Sequence, residues 1–199
     1  MPADQFIVLL GLAFTSLFTP GPNNTMLAAS GVNFGYMRTL PHMLGVTLGF
    51  AIMVFVVGFF MGALFQNSHL FREILRWGGA LLLLWIAYKV ATSGSIGKAS
   101  NPRPMRFVEA AAFQWINPKA WAMAVGIPSQ FVVGDAKVQA AVIVSLVFAV
   151  MGFFSSSTWV LAGQALTRWI TTANRLRVFN AVMGLLIAGF VVFMLIETA

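Results

Sequence analysis

Cysteine is absent from this chain, and only five of its residues are acidic. The first absence removes disulfides, thiolate nucleophiles and cysteine-ligated metals. The second leaves no carboxylate pair and no acid deep inside an apolar run. With two histidines far apart in sequence, no metal-ligand spacing or nucleophile elbow can be assembled either. The chain therefore reads as a non-enzyme, with no metal and no cofactor. Charge of both signs is scarce: 9% of residues are charged and 59% are hydrophobic, where an ordinary soluble domain is roughly one quarter charged. Mean hydropathy is +0.87. No polar stretch exceeds about fifteen residues, too short for a separate soluble domain.

What is present is a set of long apolar runs punctuated by short basic loops. The net charge of +7 is scattered among these loops, which suits membrane topology better than nucleic-acid binding. Phe6 to Phe18 could pass for a signal peptide. The segment Met1 to Gln5 carries Asp4 and no basic residue, so a retained first span is expected instead. Six spans are predicted: 6–30, 41–65, 70–90, 107–132, 138–163 and 178–196. Asn33, Gly35 and Arg38 mark a loop after the first. Turns are expected at Gln66-Asn67-Ser68-His69 and Gly134-Asp135, and a polar linker at 93–105.

The fold expected is an all-α membrane protein in one transmembrane domain, 1–199, made of two inverted three-helix repeats, 1–92 and 106–199. Arg72 and Arg177 are each followed seven residues later by glycine, Gly79 and Gly184, then by an apolar run. Gly-Phe-Phe occurs at Gly58-Phe59-Phe60 and again at Gly152-Phe153-Phe154. With the N-terminus outside, eight of the twelve basic residues fall on the inner side, so both termini are predicted to face outward.

The first span of each half is broken by proline. Between Gln5 and Met37 no residue is charged, yet Thr19-Pro20-Gly21-Pro22-Asn23-Asn24 interrupts the run. Pro20 and Pro22 remove two backbone donors, Gly21 adds freedom between them, and the residue before each proline is pushed to extended geometry. Irregular backbone at membrane depth survives only where protein or a water-filled cavity satisfies it. Interrupted helices in paired inverted halves point to a transporter site near the midplane. If helix resumes after Pro22, the amides of Asn23, Asn24 and Thr25 form a helix N-terminus suited to a carboxylate. The Asn23 and Asn24 side chains could serve both ends of a zwitterion, or simply satisfy carbonyls freed by the prolines.

The second break is Gln114-Trp115-Ile116-Asn117-Pro118-Lys119. A lysine at depth costs about 3 kcal/mol on insertion scales, and Glu109 lies about 15 Å away along a helix. Lys119 must bond freed carbonyls, meet an anionic substrate group, lose its proton, or snorkel to the inner face. Ser155-Ser156-Ser157-Thr158 could line a path, though packing between helices is the preferred reading. His42 could titrate near neutral pH, but an interfacial histidine without function is favoured.

Thr19-Pro20-Gly21-Pro22-Asn23-Asn24, with Asn117-Pro118-Lys119 opening the second half, resembles the LysE/RhtB family of bacterial amino-acid exporters across essentially the whole chain. Gly31-Val32-Asn33-Phe34-Gly35 and Arg38-Thr39-Leu40-Pro41-His42 resemble its threonine- and cysteine-efflux branch. The resemblance implies export of small neutral amino acids or derivatives across the bacterial inner membrane, driven by an ion gradient. Substrate binding would involve Thr19, Pro20, Gly21, Pro22, Asn23, Asn24, Gln114, Asn117, Pro118 and Lys119. Expected partners are an amino acid, the lipid bilayer and a coupling ion, most simply a proton; a homo-oligomer stays open. A passive solute channel and a membrane-embedded lipid enzyme are the alternatives.

Overall fold

A computed structural model describes residues 1–61, 69–92, 103–132 and 136–197. Its elements are α1 (Ala3–Phe18), α2 (Pro22–Val56), a π-helical turn (Val57–Met61), α3 (His69–Thr92), α4 (Phe107–Gln114), α5 (Pro118–Gly126), α6 (Pro128–Phe131), α7 (Lys137–Leu166) and α8 (Ala173–Glu197). All regular structure among the described residues is helical. The expected turns at 66–68 and 134–135, and 93–102 of the linker, lie outside the described residues.

Pro20 holds Thr19 in extended geometry and ends α1, and Pro22 starts α2 as its first helical residue. The loop expected around residues 33–38 contracts to one residue. Gly35, at φ 74° and ψ 173°, divides α2 into arms 22–34 and 36–56. That conformation is open to glycine and strained for any other residue, so one position does the work of a loop. At the start of α4, Arg103 grips Glu109 through two donors at 2.7 and 2.5 Å, and the Arg106 N–H donates to the same carboxylate at 2.8 Å. This hydrogen-bonded carboxylate pushes the Arg103 guanidinium further above its ordinary value.

Three segments, Pro22–Phe60, Lys137–Leu166 and Ala173–Phe193, are long and apolar enough to cross a membrane, and Ala3–Phe18 and Trp77–Thr92 are shorter apolar helices. Large apolar side chains such as Leu81, Leu146, Leu185 and Ile196 stay exposed on the outside, the surface a lipid tail would cover.

Small residues bring the central helices close, as expected where packing and not water drives association. The α2–α7 crossing is reciprocal: Gly31 lies against the Val160 carbonyl, and Gly163 against the Ala28 carbonyl. Between α3 and α8, a Cβ on Gly184 would stand 2.6 Å from the Ala87 carbonyl oxygen. The largest buried cluster gathers Leu9, Phe50, Met53, Trp121, Val144 and Phe148 from α1, α2, α5 and α7.

Candidate substrate site

At the first break, a continuous helix would have handed the Leu17 carbonyl to the Gly21 N–H. Here Leu17 O accepts instead from Asn24 Nδ2 at 2.8 Å and from Ser155 Oγ at 2.9 Å. Thr19 O accepts from Asn24 Nδ2 at 3.0 Å and from Lys119 Nζ at 2.7 Å, with Pro20 O at 3.5 Å from the same ammonium. Asn24 is thus a carbonyl partner, 7% exposed. Helix resumes with the Thr25 N–H donating to Gly21 O at 2.9 Å, so the Asn23 and Asn24 amides precede the first intrahelical bond. Gly21, in the N-cap position, has no side chain to cap them.

Gly21 itself has φ −175° and ψ −179°, extended backbone open to any residue. Conformational freedom is therefore not what it contributes. A Cβ there would lie 2.9 Å from both Cδ and Nζ of Lys119; glycine leaves room for the lysine.

The second break is built differently. After α4 the chain tightens through i→i−3 bonds, Trp115 N–H to Ala112 O, Ile116 N–H to Phe113 O and Asn117 N–H to Gln114 O, at 3.1, 3.2 and 3.3 Å. Asn117 Oδ1 accepts from the Lys119 N–H at 3.1 Å and caps α5. One helix N-terminus is capped by its own asparagine, and the other is open.

Two links join the breaks. Lys119 reaches from the second to the Thr19 carbonyl of the first. Asn23 reaches from the first to Gln114, which is 0% exposed: Asn23 Nδ2 donates to Gln114 Oε1 at 2.8 Å, and Gln114 Nε2 returns a bond to Asn23 Oδ1 at 3.3 Å. The ammonium thus bonds freed carbonyls, one of the four outcomes open from sequence. Glu109, engaged with Arg103, is not its partner.

Beside these links is a cavity with an empty volume of about 500 Å³ including its open mouth. Gly21, Asn23, Asn24, Asn117 and Lys119 line it. Thr19, Pro20, Pro22, Gln114 and Pro118 are not on its wall; they shape or tie the breaks behind it. Residues not singled out as binding candidates complete it: Ser16, Thr47, Phe50, Phe148, Gly152 and Ser156 among them. Ser155 and Ser156, read from sequence as packing residues, both face the cavity. Phe50 and Phe148 meet edge to face at 5.4 Å between centroids, and Thr47 Oγ1 lies 3.3 Å from Ser156 Oγ. Among the described residues no acidic side chain lines the cavity. The Lys119 ammonium and the uncapped start of α2, where partial positive charge collects, both border this space. Among the described residues no cluster of three or more histidines or acids could hold a metal.

The sequence pattern of the LysE type translocator family matches residues 14–198. The cysteine/O-acetylserine efflux protein of Escherichia coli is 29% identical over 170 residues, covering 85% of this chain and 86% of that protein. The protein of the same name from Salmonella typhimurium is 29% identical over 151 residues, 75% of this chain and 77% of that one. No solved structure matches. With the apolar helices and paired breaks, the match over nearly the whole length places the chain: it belongs to the LysE type translocator family, membrane transporters and not enzymes.

Proposed function

We propose that this chain is a secondary exporter that carries small neutral amino acids or close derivatives out of the bacterial cytoplasm, binding them between its two broken helices. The observation that carries the reading is the cavity: the open N-terminus of α2 and the Lys119 ammonium face it together, and among the described residues no acid lines it. A substrate carboxylate would sit against the Asn23 and Asn24 amides and displace Lys119 from Thr19 O. Asn23 and Asn117 would receive the ammonium. The Thr47, Ser155 and Ser156 hydroxyls and the Phe50–Phe148 wall suit a small polar side chain. The relatives' names, cysteine and O-acetylserine efflux, describe cargo of that size and polarity.

On this reading the six spans form two inverted repeats, 1–92 and 106–199, in the inner membrane with both termini outside. Supporting it, Asn23 and Lys119 occupy like positions. Each follows the proline that opens its resumed helix, and each reaches to the end of the other broken segment. The two links hold the halves in one arrangement. Substrate competing for Lys119 would loosen them and permit rocking between inward and outward openings. A proton gradient would drive the cycle.

The test is efflux from proteoliposomes preloaded with a panel of labelled amino acids, with and without an imposed pH gradient. The expected result is saturable release of a few small neutral amino acids, faster with the gradient. Unsaturable release without trans-stimulated exchange would indicate a channel. Absence of release from folded protein would contradict the cargo.

A further inference from the structure

His42 is buried at 2% exposure in the 36–56 arm of α2. Neither Nδ1 nor Nε2 has a hydrogen-bond partner. Burying an unpaired polar group is costly, and such groups in a native fold call for an explanation. Among the described residues, His42 is also the one ionisable side chain that is buried.

Its place on the helix supplies a reason. His42, Val46 and Phe50 follow at four-residue steps and share a stripe, and the last two line the cavity. Thr47, also on the cavity wall, pairs with Ser156. On the other side of His42, buried Thr39 lies 3.0 Å from Ser30 across the two arms of α2. Buried polar side chains thus run along α2 from the cavity, past His42, toward the Gly35 turn. That turn is on the inner side in the orientation argued from the basic residues.

Ionisable groups on the surrounding elements have other engagements. Tyr36 Oη pairs with Ser157, Arg38 stands over the Phe34 ring, and Lys89 of α3 over Trp85. Arg175 of α8 bonds Trp169 O and Thr171, while Arg177 also stands near the start of that helix. Residues 138–166 of α7 hold no ionisable side chain. Glu109 of α4 is held by Arg103 and by the N–H of Arg106. Lys119, unlike His42, has a partner in this arrangement, its ammonium donating to Thr19 O.

We propose that His42 is the proton-binding residue that couples export to the pH gradient, a role that rests on the exporter reading above. In the arrangement seen here both ring nitrogens lack a partner, and the cycle starts from the ring without the coupled proton. When the cavity opens outward and the amino acid leaves, water reaches the ring, and one proton from outside binds to the free nitrogen. After return to the inward opening, the proton passes along the Thr39–Ser30 side to the cytoplasm as the next substrate binds. One proton enters for each amino acid exported.

The experiment compares wild type with His42→Gln in proteoliposomes, measuring exchange of labelled cysteine at equal pH and efflux under a pH gradient. Wild-type transport, seen first, tests the exporter reading separately. For His42→Gln the expected result is retained exchange, loss of the gradient stimulation and a flattened pH profile. A gradient response equal to wild type, or loss of exchange together with the response, overturns the assignment. Independently of transport, nitrogen NMR of labelled histidine in the His69→Gln protein should show His42 changing protonation state across the pH range in which wild-type exchange changes. An imidazole signal constant across that range also overturns it.

Discussion

Gly21→Ala separates two explanations of the first break. If the glycine were required for backbone freedom, a side chain there would damage the break whatever stood opposite. The structure gives another reason: the backbone is extended, and a Cβ would press on Cδ and Nζ of Lys119 at 2.9 Å. A lysine end can move, so alanine should fold and should act by pulling the ammonium off Thr19 O. A hydrogen bond to a charged group contributes about 1.5–3 kcal/mol. Thr19 O keeps Asn24 Nδ2 at 3.0 Å and is not orphaned, which places the stability loss near the lower end, about 1.5 kcal/mol. If Lys119 also meets the substrate carboxylate, misplacing it lowers export by about 10- to 150-fold, at roughly 1.4 kcal/mol per decade. The assay is a four-protein cycle of wild type, Gly21→Ala, Lys119→Ala and the double variant, followed by thermal unfolding in detergent and by export kcat/KM. The reasoning requires the double variant to match Lys119→Ala. A Gly21→Ala effect of full size in the Lys119→Ala background would refute it, because the glycine would then be needed for itself.

Leu17 O has two donors, so Asn24→Ala or Ser155→Ala alone should leave it paired, whereas the double variant should lose about 1–3 kcal/mol beyond their sum in unfolding measurements. Gly152→Ala should fold normally, since its Cβ meets Thr47 Cγ2 at an ordinary 3.5 Å; by narrowing the cavity it should raise KM for larger substrates first, and an unchanged panel would remove Gly152 from the site. Gly163→Ala drives a methyl into the Ala28 carbonyl and should destabilise by about 1–3 kcal/mol as overpacking does, visible as a lower Tm with no shift in substrate preference.

Proline chemistry is local, and the breaks at Pro20–Pro22 and Pro118 were therefore legible from the chain alone. So was the all-helical membrane class, which follows from apolar runs with few charges. The single-residue turn at Gly35 was not, because a loop and one glycine with positive φ look alike in sequence. Partner choice was beyond reach. Nothing local says that Gln114 will find Asn23, or that Ser155 will satisfy a carbonyl 138 positions away. The likeness of Gly79 and Gly184 does not carry into like contacts, since the first faces Ile116 O and the second Ala87 O. Thr47, Phe50 and Phe148 gave no signal at all, being ordinary residues of apolar helices until folding turned them toward one cavity. The burial of His42 gave no signal either, because burial depends on neighbours in space and not on the adjoining proline.

The central claim is that a substrate carboxylate sits between the breaks, against Lys119 and the Asn23 and Asn24 amides. Exchange of labelled cysteine in proteoliposomes, with unlabelled cysteine or its methyl ester as competitor, addresses it directly in wild type and Lys119→Ala. The account predicts that the ester, lacking the carboxylate, competes far more weakly than cysteine against wild type, and that the difference shrinks in Lys119→Ala. An ester that competes as well as the free amino acid in wild type would contradict it.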